Sequence, residues 1–420
     1  MFTACKRKLC ERRRHKLCGL LITAVVVAGF FFFGYFCDDR LCRLSTSAGG
    51  LHRSSQHHAP VSYNLADGST DMQTTFDDAA LSRDYPFDTE GNDVMVFLHM
   101  QKTGGTTFGR HLVRNLDAKP SCRCFRGRKR CDCVNTKNQW WLFSRYSMGW
   151  PCGLHADWTE LQNCVDETLN KKEQVVRPRR YLYITMLREP LLRYLSEWKH
   201  VRRGSTWLAA RLRCNGRQAT LQEVPFCFDG KSSPRQPKSV SSVHDDWSGV
   251  SLREFLSCPH NLANDRQTRM LANLSLVGCY NHSAMLPAQR RAIMLQSAKT
   301  NLREMAFFGL VEYQRASQYL FEKTFHMRFI NNFEQFSHTH AKSANLSDAQ
   351  RDRVLEVNRL DVELYQYAKG LFMKRLHKMR LADGTLGHYD VDGDTIKVPR
   401  TEYEEDENYD DDNDVDAVRH

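Results

Sequence analysis

VMVFLHMQKTGGTTFGR, residues 94–110, is the stretch of sequence from which the fold class follows. It opens with five apolar residues, Val94–Leu98, and then changes to polar residues and glycines. A short apolar run that ends in this way is typical of a buried parallel strand. We therefore expect a ligand site where this strand ends, as in other open α/β sheets.

The turn after this strand has the composition of an anion-binding site. Gly104 and Gly105 allow the backbone to turn tightly and to approach a ligand closely. Thr106 and Thr107 can cap a helix that begins near Phe108. Because the N–H groups of such a helix and its dipole point the same way, the turn favours an anion.

Lys102 adds a full positive charge at the mouth of this turn. The alternative is an ordinary strand-to-helix turn whose lysine is merely solvated. In the loop that binds nucleoside triphosphates the lysine follows the last glycine, whereas Lys102 precedes both glycines. The spacing therefore disfavours an ATPase or a kinase.

A second strand–turn–helix unit follows at YLYITML, residues 181–187, with a helical pattern from Pro190 onwards. Arg188 and Ser196 are then expected side by side at the carboxyl end of the strand, where a guanidinium can bind a phosphate with two hydrogen bonds. The alternative is a salt bridge between Arg188 and Glu189 at the start of the helix. Two such units predict an α/β fold with a central, mainly parallel sheet.

The N-terminal segments predict a membrane anchor. Residues 1–16 are basic, and residues 17–37 carry no charge and are long enough to span a bilayer as a helix. A cleavable signal peptide is the alternative, disfavoured by the length of the run and the lack of a small-residue cleavage site. The basic flank predicts a cytosolic N-terminus, and hence a type II membrane protein with a lumenal domain.

The rest of the chain divides by composition into three parts. Residues 38–92 are polar and predict a flexible stem, residues 93–383 the folded domain, and residues 384–420 a disordered acidic tail. The net charge is +11 despite that tail, so the domain is strongly basic. A basic lumenal domain suggests a polyanion such as a sulfated glycan, not a nucleic acid. The alternative is a solvated basic surface without a partner.

The cysteines indicate an oxidising compartment. Ten of the fifteen fall in the predicted domain, where an oxidising lumen favours disulfides. Zinc binding by Cys122, Cys124, Cys131 and Cys133 is the alternative, but their C-x-C spacing is not the usual one. An even count allows full pairing, although the sequence does not say which cysteines pair. Three Asn-x-Ser sequences are candidate glycosylation sites: Asn273, Asn281 and Asn345.

Two further elements are predicted near the end of the domain. A short buried strand at Met305–Leu310 precedes a helix. A long amphipathic helix begins at Ser347, which forms a capping box with Gln350. We assign no catalytic residue to that helix.

Two motifs resemble those of the sulfotransferases that use 3′-phosphoadenosine 5′-phosphosulfate (PAPS). KTGGTT, residues 102–107, is similar to their 5′-phosphosulfate loop, and LREPLLRYLSEW, residues 187–198, to their 3′-phosphate motif. HMQKTGGTTFGRHL and GWPCGLHADWTELQNC resemble the heparan-sulfate 6-O-sulfotransferases in particular. The resemblance covers residues 93–378. It implies a fold related to the nucleotide kinases, with helices on both faces of the sheet.

The resemblance also implies how PAPS is bound, without a metal. Its contacts would be the loop residues His99, Met100, Gln101, Lys102, Thr103, Gly104, Gly105, Thr106 and Thr107, then Arg188 and Ser196, and then Gln335, Phe336, Ser337, Ala341 and Lys342. The last segment departs from the family sequences at His338 and His340.

Transfer of a sulfuryl group to a sugar hydroxyl needs a base and positive charge near the leaving phosphate. His155 is the candidate base, because an unperturbed imidazole pKa near 6.5 leaves the neutral ring available. It lies between Trp150 and Trp158, in an aromatic segment suited to stacking on a sugar. A lone histidine is more often structural. His99 is the second candidate, although we expect it to be a packing residue of the loop. Lys102 would hold the leaving phosphate.

Cationic and aromatic residues are implied to bind the acceptor: Lys129, Arg130, Arg145, Trp150, His155, His200 and Trp207. The alternative is a solvated basic loop with packed aromatic rings. The resemblance implies a Golgi enzyme that sulfates the 6-hydroxyl of glucosamine residues in heparan sulfate. Two other functions stay open: another glycan O-sulfotransferase, such as a 2-O-sulfotransferase, and a non-enzymatic lumenal protein that binds glycans.

Overall fold

The computed structural model describes residues 76–205, 210–225, 227, 247–333 and 346–384. The predicted cytosolic tail, membrane helix, most of the stem and the acidic tail beyond residue 384 lie outside these ranges. So do seven predicted site residues: Trp207, Gln335, Phe336, Ser337, Ala341, Lys342 and Asn345. Of the helices inside the described ranges, none is both long and apolar enough to cross a membrane.

The described ranges contain eight strands and eleven α-helices. The strands are β1 (Asp93–Leu98), β2 (Arg123–Cys124), β3 (Cys131–Asp132), β4 (Leu142–Phe143), β5 (Arg180–Leu187), β6 (Arg213–Cys214), β7 (Arg217–Gln218) and β8 (Phe307–Leu310). The helices are α1 (Asp78–Leu81), α2 (Gly105–Arg114), α3 (Arg145–Met148), α4 (Trp158–Glu173), α5 (Pro190–Arg202), α6 (Leu252–Ser257), α7 (Arg266–Leu271), α8 (Pro287–Glu304), α9 (Gln314–Phe325), α10 (Asp348–Val357) and α11 (Arg359–Ala382).

A four-stranded parallel sheet in the order β4–β1–β5–β8 forms the centre of the fold. Val96 of β1 lies opposite Phe143 of β4 and Tyr183 of β5. All six residues of β1 are buried, which is typical of a strand covered on both faces. The predicted α/β fold with a parallel sheet is confirmed, and both predicted strands, at 94–98 and 181–187, are present and begin one residue earlier.

The start of α2 corrects the prediction that Thr106 and Thr107 cap a helix near Phe108. Gly104 is the N-cap, with a left-handed φ of 71°, and the helix begins at Gly105. Because glycine adopts this conformation without strain, the chain can turn into the helix before it reaches the threonines. Both threonines therefore lie in the first turn, whose N–H groups have no partner within the helix.

Two other boundaries differ from the prediction. The strand expected from Met305 begins at Phe307, because the Met305 N–H still bonds to the Asn301 carbonyl at the end of α8 (2.9 Å). The single long helix expected from Ser347 is two helices, α10 and α11, separated at the buried Asn358. The predicted capping box of Ser347 and Gln350 is confirmed.

Five disulfides use all ten cysteines of the predicted domain, which confirms the disulfide prediction. They are Cys122–Cys133, Cys124–Cys131, Cys152–Cys164, Cys214–Cys279 and Cys227–Cys258. The first two cross-link the hairpin of β2 and β3, so that Lys129 and Arg130 lie at its exposed tip. Across the described ranges, no group of His, Cys, Asp and Glu side chains is arranged to hold a metal ion.

Residues 76–92, part of the segment predicted as a stem, pack against the folded unit. Phe76 lies edge-on to Tyr367 of α11, with ring centroids 5.3 Å apart. The N–H groups of Tyr85 and Phe87 bond to the carbonyls at the end of α9, at 2.7 and 3.2 Å. The ordered unit therefore includes residues before Asp93.

Candidate active site

The predicted motifs meet at the carboxyl ends of the central strands. β1 ends at Leu98 and leads through a six-residue loop into α2, while β5 ends at Leu187 and leads directly into α5. These strands are neighbours in the sheet, and their last residues lie near each other, since Leu98 is opposite Thr185. This is the edge at which parallel α/β sheets bind ligands.

The loop between β1 and α2 is tightly fixed. Met100, Gln101 and Thr103 are buried, and the Thr103 hydroxyl donates to the Met100 carbonyl (3.2 Å). Lys102 has a left-handed φ of 64°, which is uncommon for a side chain other than glycine or asparagine. The surrounding packing thus holds Lys102 in a backbone conformation that an open loop would rarely select.

The two glycines of the loop have different roles. Gly104 supplies the left-handed turn. Gly105 has an ordinary helical conformation, but a Cβ at that position would collide with the imidazole of His99. The close approach that the sequence suggested for a ligand is therefore made here by His99.

Arg188 connects the two motifs. Its guanidinium Nη1 donates to the Lys102 carbonyl (3.2 Å). Burial lowers the pKa of Arg188, and Glu312 opposes this effect. Arg188 does not form the alternative salt bridge with Glu189. The Glu189 carboxylate instead caps α5 by accepting from the Leu191 and Leu192 N–H groups (3.1 and 2.8 Å).

His155 is anchored to the first residue of the same loop. Its Nδ1 lies 2.8 Å from the His99 carbonyl oxygen. Because a carbonyl only accepts, Nδ1 carries the proton, and Nε2 is the basic nitrogen of the neutral ring. His155 is only 7% exposed, and its ring packs against those of Trp150 and His99, with centroids 4.7 and 4.9 Å away.

The predicted acceptor residues divide into those beside His155 and those on other elements. The Arg145 guanidinium lies over the Trp150 ring (5.4 Å), and both residues line a small cleft that also includes His99 and Gly153. From the hairpin tip, Arg130 Nη1 reaches the Met148 carbonyl (3.4 Å). Four predicted residues, His99, Arg145, Trp150 and His155, are thus brought together.

The remaining described candidates lie on other elements. Lys129 is exposed at the hairpin tip. Ser196 is half-buried in the second turn of α5, and His200 is buried in the last turn, with Nδ1 3.5 Å from the Ser205 hydroxyl. Asn273 and Asn281 each begin a short 3-10 helix, where the side-chain oxygen accepts a backbone N–H two residues on.

Polar residues that the sequence did not single out support the segment that carries His155. Asp157 and Glu160 form a capping box at the start of α4, and the Tyr280 hydroxyl donates to Asp157 (3.0 Å). Burial raises the pKa of Asp157 to about 6. Burial and the charge of Asp157 raise the pKa of Glu160 to about 7. The D-x-x-E spacing at the start of α4 is the one sequence signal that indicates this box.

Gln267 is another residue that the sequence did not indicate. Its side chain bonds to the backbone of Arg188, although the two residues are 79 positions apart. No local pattern predicts a contact over that separation.

The comparison with protein families identifies one family. The model of the Sulfotransferase family matches residues 85–368. This range is more than half of the chain, and the chain is therefore a sulfotransferase by family.

Three relatives define the family more closely. The chain is 53% identical over 306 residues to heparan-sulfate 6-O-sulfotransferase 3-B of Danio rerio, covering 73% of this chain and 70% of that protein. It is 48% identical over 378 residues to heparan-sulfate 6-O-sulfotransferase 2 of Gallus gallus, covering 88% and 89%. It is 53% identical over 301 residues to heparan-sulfate 6-O-sulfotransferase 3 of Homo sapiens, covering 71% and 61%. The chain belongs to the heparan-sulfate 6-O-sulfotransferase family, as its motifs predicted.

Proposed function

We propose that this protein transfers a sulfuryl group from PAPS to the 6-hydroxyl of glucosamine residues in heparan sulfate. The observation that carries the proposal is the bond between His155 Nδ1 and the His99 carbonyl (2.8 Å). It fixes a basic nitrogen beside the loop that resembles the donor site. The names of the relatives give the acceptor and the position.

The residues at the ends of β1 and β5 fit a donor that carries a 5′-phosphosulfate and a 3′-phosphate. The first turn of α2 has Gly104 as its cap, so backbone N–H groups are available to a 5′-phosphosulfate. Lys102 and Arg188 add two positive charges there and are bonded to each other through the Lys102 carbonyl. Ser196 and Arg188 would hold the 3′-phosphate. A strand, a phosphate loop and a helix in this order also support a relation to the nucleotide kinases.

In the proposed reaction the chain positions the two substrates and moves one proton. His155 Nε2 accepts the proton of the 6-hydroxyl as that oxygen attacks sulfur. Lys102 stabilises the negative charge on the departing phosphate. The bond between sulfur and the 5′-phosphate oxygen of PAPS breaks as the new bond forms, and adenosine 3′,5′-bisphosphate leaves.

The acceptor chain would lie across the cleft beside His155. Trp150, which is half-buried, would contact a sugar ring. Arg145, whose guanidinium lies over that indole, would bind a sulfate or carboxylate. Lys129 and Arg130 would bind the polyanion farther out, because the hairpin tip reaches back to the backbone before Trp150. His200 and Trp207 are the other proposed contacts.

The test is sulfation of heparan sulfate by the purified lumenal part of the protein with PAPS, followed by disaccharide analysis. We expect new sulfate at the 6-position of glucosamine. His155→Ala should lose about 10²–10⁴-fold in turnover, the usual contribution of a general base, and should still bind adenosine 3′,5′-bisphosphate as tightly as the wild type.

Other outcomes identify the rival functions. Sulfate on the 2-position of uronic acid would make the protein a different glycan sulfotransferase. Binding of heparan sulfate with no affinity for adenosine 3′,5′-bisphosphate and no transfer would make it a glycan-binding protein. A His155→Ala variant within about threefold of wild-type turnover would assign the base to another residue, with His99 as the next candidate.

The proposed location is the Golgi membrane, with residues 17–37 as a type II anchor and glycans on Asn273, Asn281 and Asn345. The family and the five disulfides support a lumenal domain. Protease treatment of intact microsomes should spare the domain, and removal of N-glycans should increase its mobility on a gel. A domain that is digested in intact microsomes would contradict this topology.

A further inference from the structure

Gln267 holds the backbone of Arg188 through two hydrogen bonds. Its Oε1 accepts from the Arg188 N–H and its Nε2 donates to the Arg188 carbonyl, both at 2.9 Å. β5 ends at Leu187, so the glutamine binds both backbone groups of the first residue after the strand. An amide can do this because it carries a donor and an acceptor side by side.

Gln267 is itself fixed from the C-terminal part of the domain. The buried Asp361 carboxylate accepts from the N–H groups of Gln267 (3.1 Å) and Thr268 (2.7 Å) and from the Thr268 hydroxyl (2.8 Å). Neither Gln267 nor Asp361 is exposed to solvent. The amide therefore has little freedom to turn away from Arg188.

The residue that Gln267 holds has its side chain in the candidate active site. Arg188 Nη1 donates to the Lys102 carbonyl (3.2 Å), and Lys102 has a left-handed backbone conformation. A continuous line of contacts thus runs from Asp361 through Gln267 and Arg188 to Lys102. A displacement of the Arg188 backbone would move its guanidinium away from that carbonyl.

We propose that Gln267 is a positioning residue for the reaction. It aligns Arg188 so that one guanidinium can meet both the donor's 3′-phosphate and the Lys102 carbonyl, and through that carbonyl it keeps Lys102 aimed at the leaving phosphate. This role rests on the proposed function, since it concerns the same donor site. It makes Gln267 part of the donor machinery without any contact of its own with the donor.

The test compares Gln267→Met with the wild type. Methionine fills a similar volume and removes both bonds to Arg188. Calorimetric titration with adenosine 3′,5′-bisphosphate should show binding about tenfold weaker, and steady-state kinetics should show a higher KM for PAPS and a kcat lower by roughly 10–100-fold, the scale of small misplacements in active sites. The KM for heparan sulfate should stay unchanged.

A double variant separates positioning from general destabilisation. If Gln267 acts through Arg188, then Arg188→Met with Gln267→Met should bind the nucleotide no more weakly than Arg188→Met alone. If the double variant instead loses affinity by the product of the two single losses, Gln267 does not act through Arg188, and the proposal is overturned.

Asn261→Leu is the matched control. Asn261 is another buried amide that holds backbone, donating to the Phe255 carbonyl (2.8 Å) and accepting from the Ala263 N–H (2.9 Å). It should lower stability and leave nucleotide affinity unchanged. Should Gln267→Met fail to fold, Gln267→Glu has the same size, keeps the bond from the Arg188 N–H and sets an oxygen against the Arg188 carbonyl. It should weaken nucleotide binding in the same way.

Two results are decisive in opposite directions. A folded Gln267 variant with wild-type affinity for adenosine 3′,5′-bisphosphate and wild-type KM for PAPS would overturn the positioning role and leave the proposed function intact. A wild-type protein that does not bind the nucleotide would overturn both.

Discussion

The imidazole of His99 fills the space that a side chain at position 105 would occupy. The same residue stacks on Phe97, with ring centroids 5.3 Å apart, and its carbonyl accepts from His155. His99 thus connects the strand, the first turn of α2 and the proposed base. A residue that the sequence suggested as a base of second choice is placed to orient the first.

Gly105→Ala should lower kcat by at least about tenfold, because the new methyl group displaces His99 and with it the carbonyl that orients His155. Gly370→Ala is the control, since a Cβ at that position of α11 meets no atom. Alanine there should be neutral or stabilise the helix by up to about 1 kcal/mol. Steady-state kinetics and urea unfolding of both variants make the comparison. Wild-type kcat in Gly105→Ala would show that the position of His99 does not matter for transfer.

At the scale of elements, α4 begins three residues after His155 and anchors the segment that carries it. Asp157 and Glu160 cap the helix reciprocally, Tyr280 bonds to Asp157, and the disulfide between Cys152 and Cys164 ties the preceding loop to the helix. The box places two buried carboxyl groups close together. Their proton affinity is therefore higher in the folded state than in the unfolded chain.

Glu160 makes the stability of the domain depend on pH. Its pKa is raised from 4.5 to about 7, chiefly by burial and then by Asp157. The folded state therefore binds this proton more tightly, and the stabilisation is complete below pH 4.5 and is lost as the pH rises through 7. Relative to Glu160→Gln, the wild type should lose up to about 3 kcal/mol in free energy of unfolding between pH 4.5 and 7.5. Urea titrations at both pH values measure the difference, and a difference that stays constant or grows with pH would contradict the assignment.

Elements set by local pattern could be predicted, and elements set by distant contacts could not. β1, β5 and α5 follow from apolar runs and from Pro190, all within a few residues. The break between α10 and α11 depends on Asn358, which is buried and accepts from the Asp265 N–H (3.2 Å) 93 residues away. The early start of α2 depends on the left-handed Gly104, which the neighbouring threonines obscured.

The same distinction holds within the candidate site. Lys102 and Arg188 could be chosen from motifs, because each follows a recognisable strand signal, and His155 could be chosen because its segment resembles the family. The contacts between site residues could not be predicted from the sequence. The Arg188 bond to Lys102 joins residues 86 positions apart, and the His155 bond to His99 joins residues 56 positions apart.

At the scale of the whole molecule, buried charges join the site helices to the C-terminal helices. Glu197 of α5 forms buried ion pairs with Arg193 and Arg266. Burial would raise the pKa of Glu197, but the two guanidiniums lower it to about 2. In addition, Asp265 accepts from the first N–H groups of α11 while Asp361 accepts from those of α7. The C-terminal helices are therefore part of the structure that supports the proposed donor site.

The N-terminal segment is also bonded to α8 and α11. Arg83 and Arg375 of α11 both donate to the Arg303 carbonyl at the end of α8. A protein that starts at residue 93 should therefore unfold at a lower denaturant concentration than one that starts at residue 76. Its free energy of unfolding should be lower by at least about 3 kcal/mol, since several hydrogen bonds of about 1 kcal/mol each are lost. Urea unfolding of the two secreted proteins provides the measurement. Equal midpoints would mean that residues 76–92 contribute nothing to stability.

The packing of residues 76–92 also limits how a protease can release the domain from the proposed anchor. A cut before Phe76 leaves its contact with Tyr367 and the Arg83 bonds in place. A cut between Leu81 and Asp93 separates some of these groups from the chain they stabilise. We therefore expect a shed form that keeps its activity to begin at or before Phe76, whichever protease releases it.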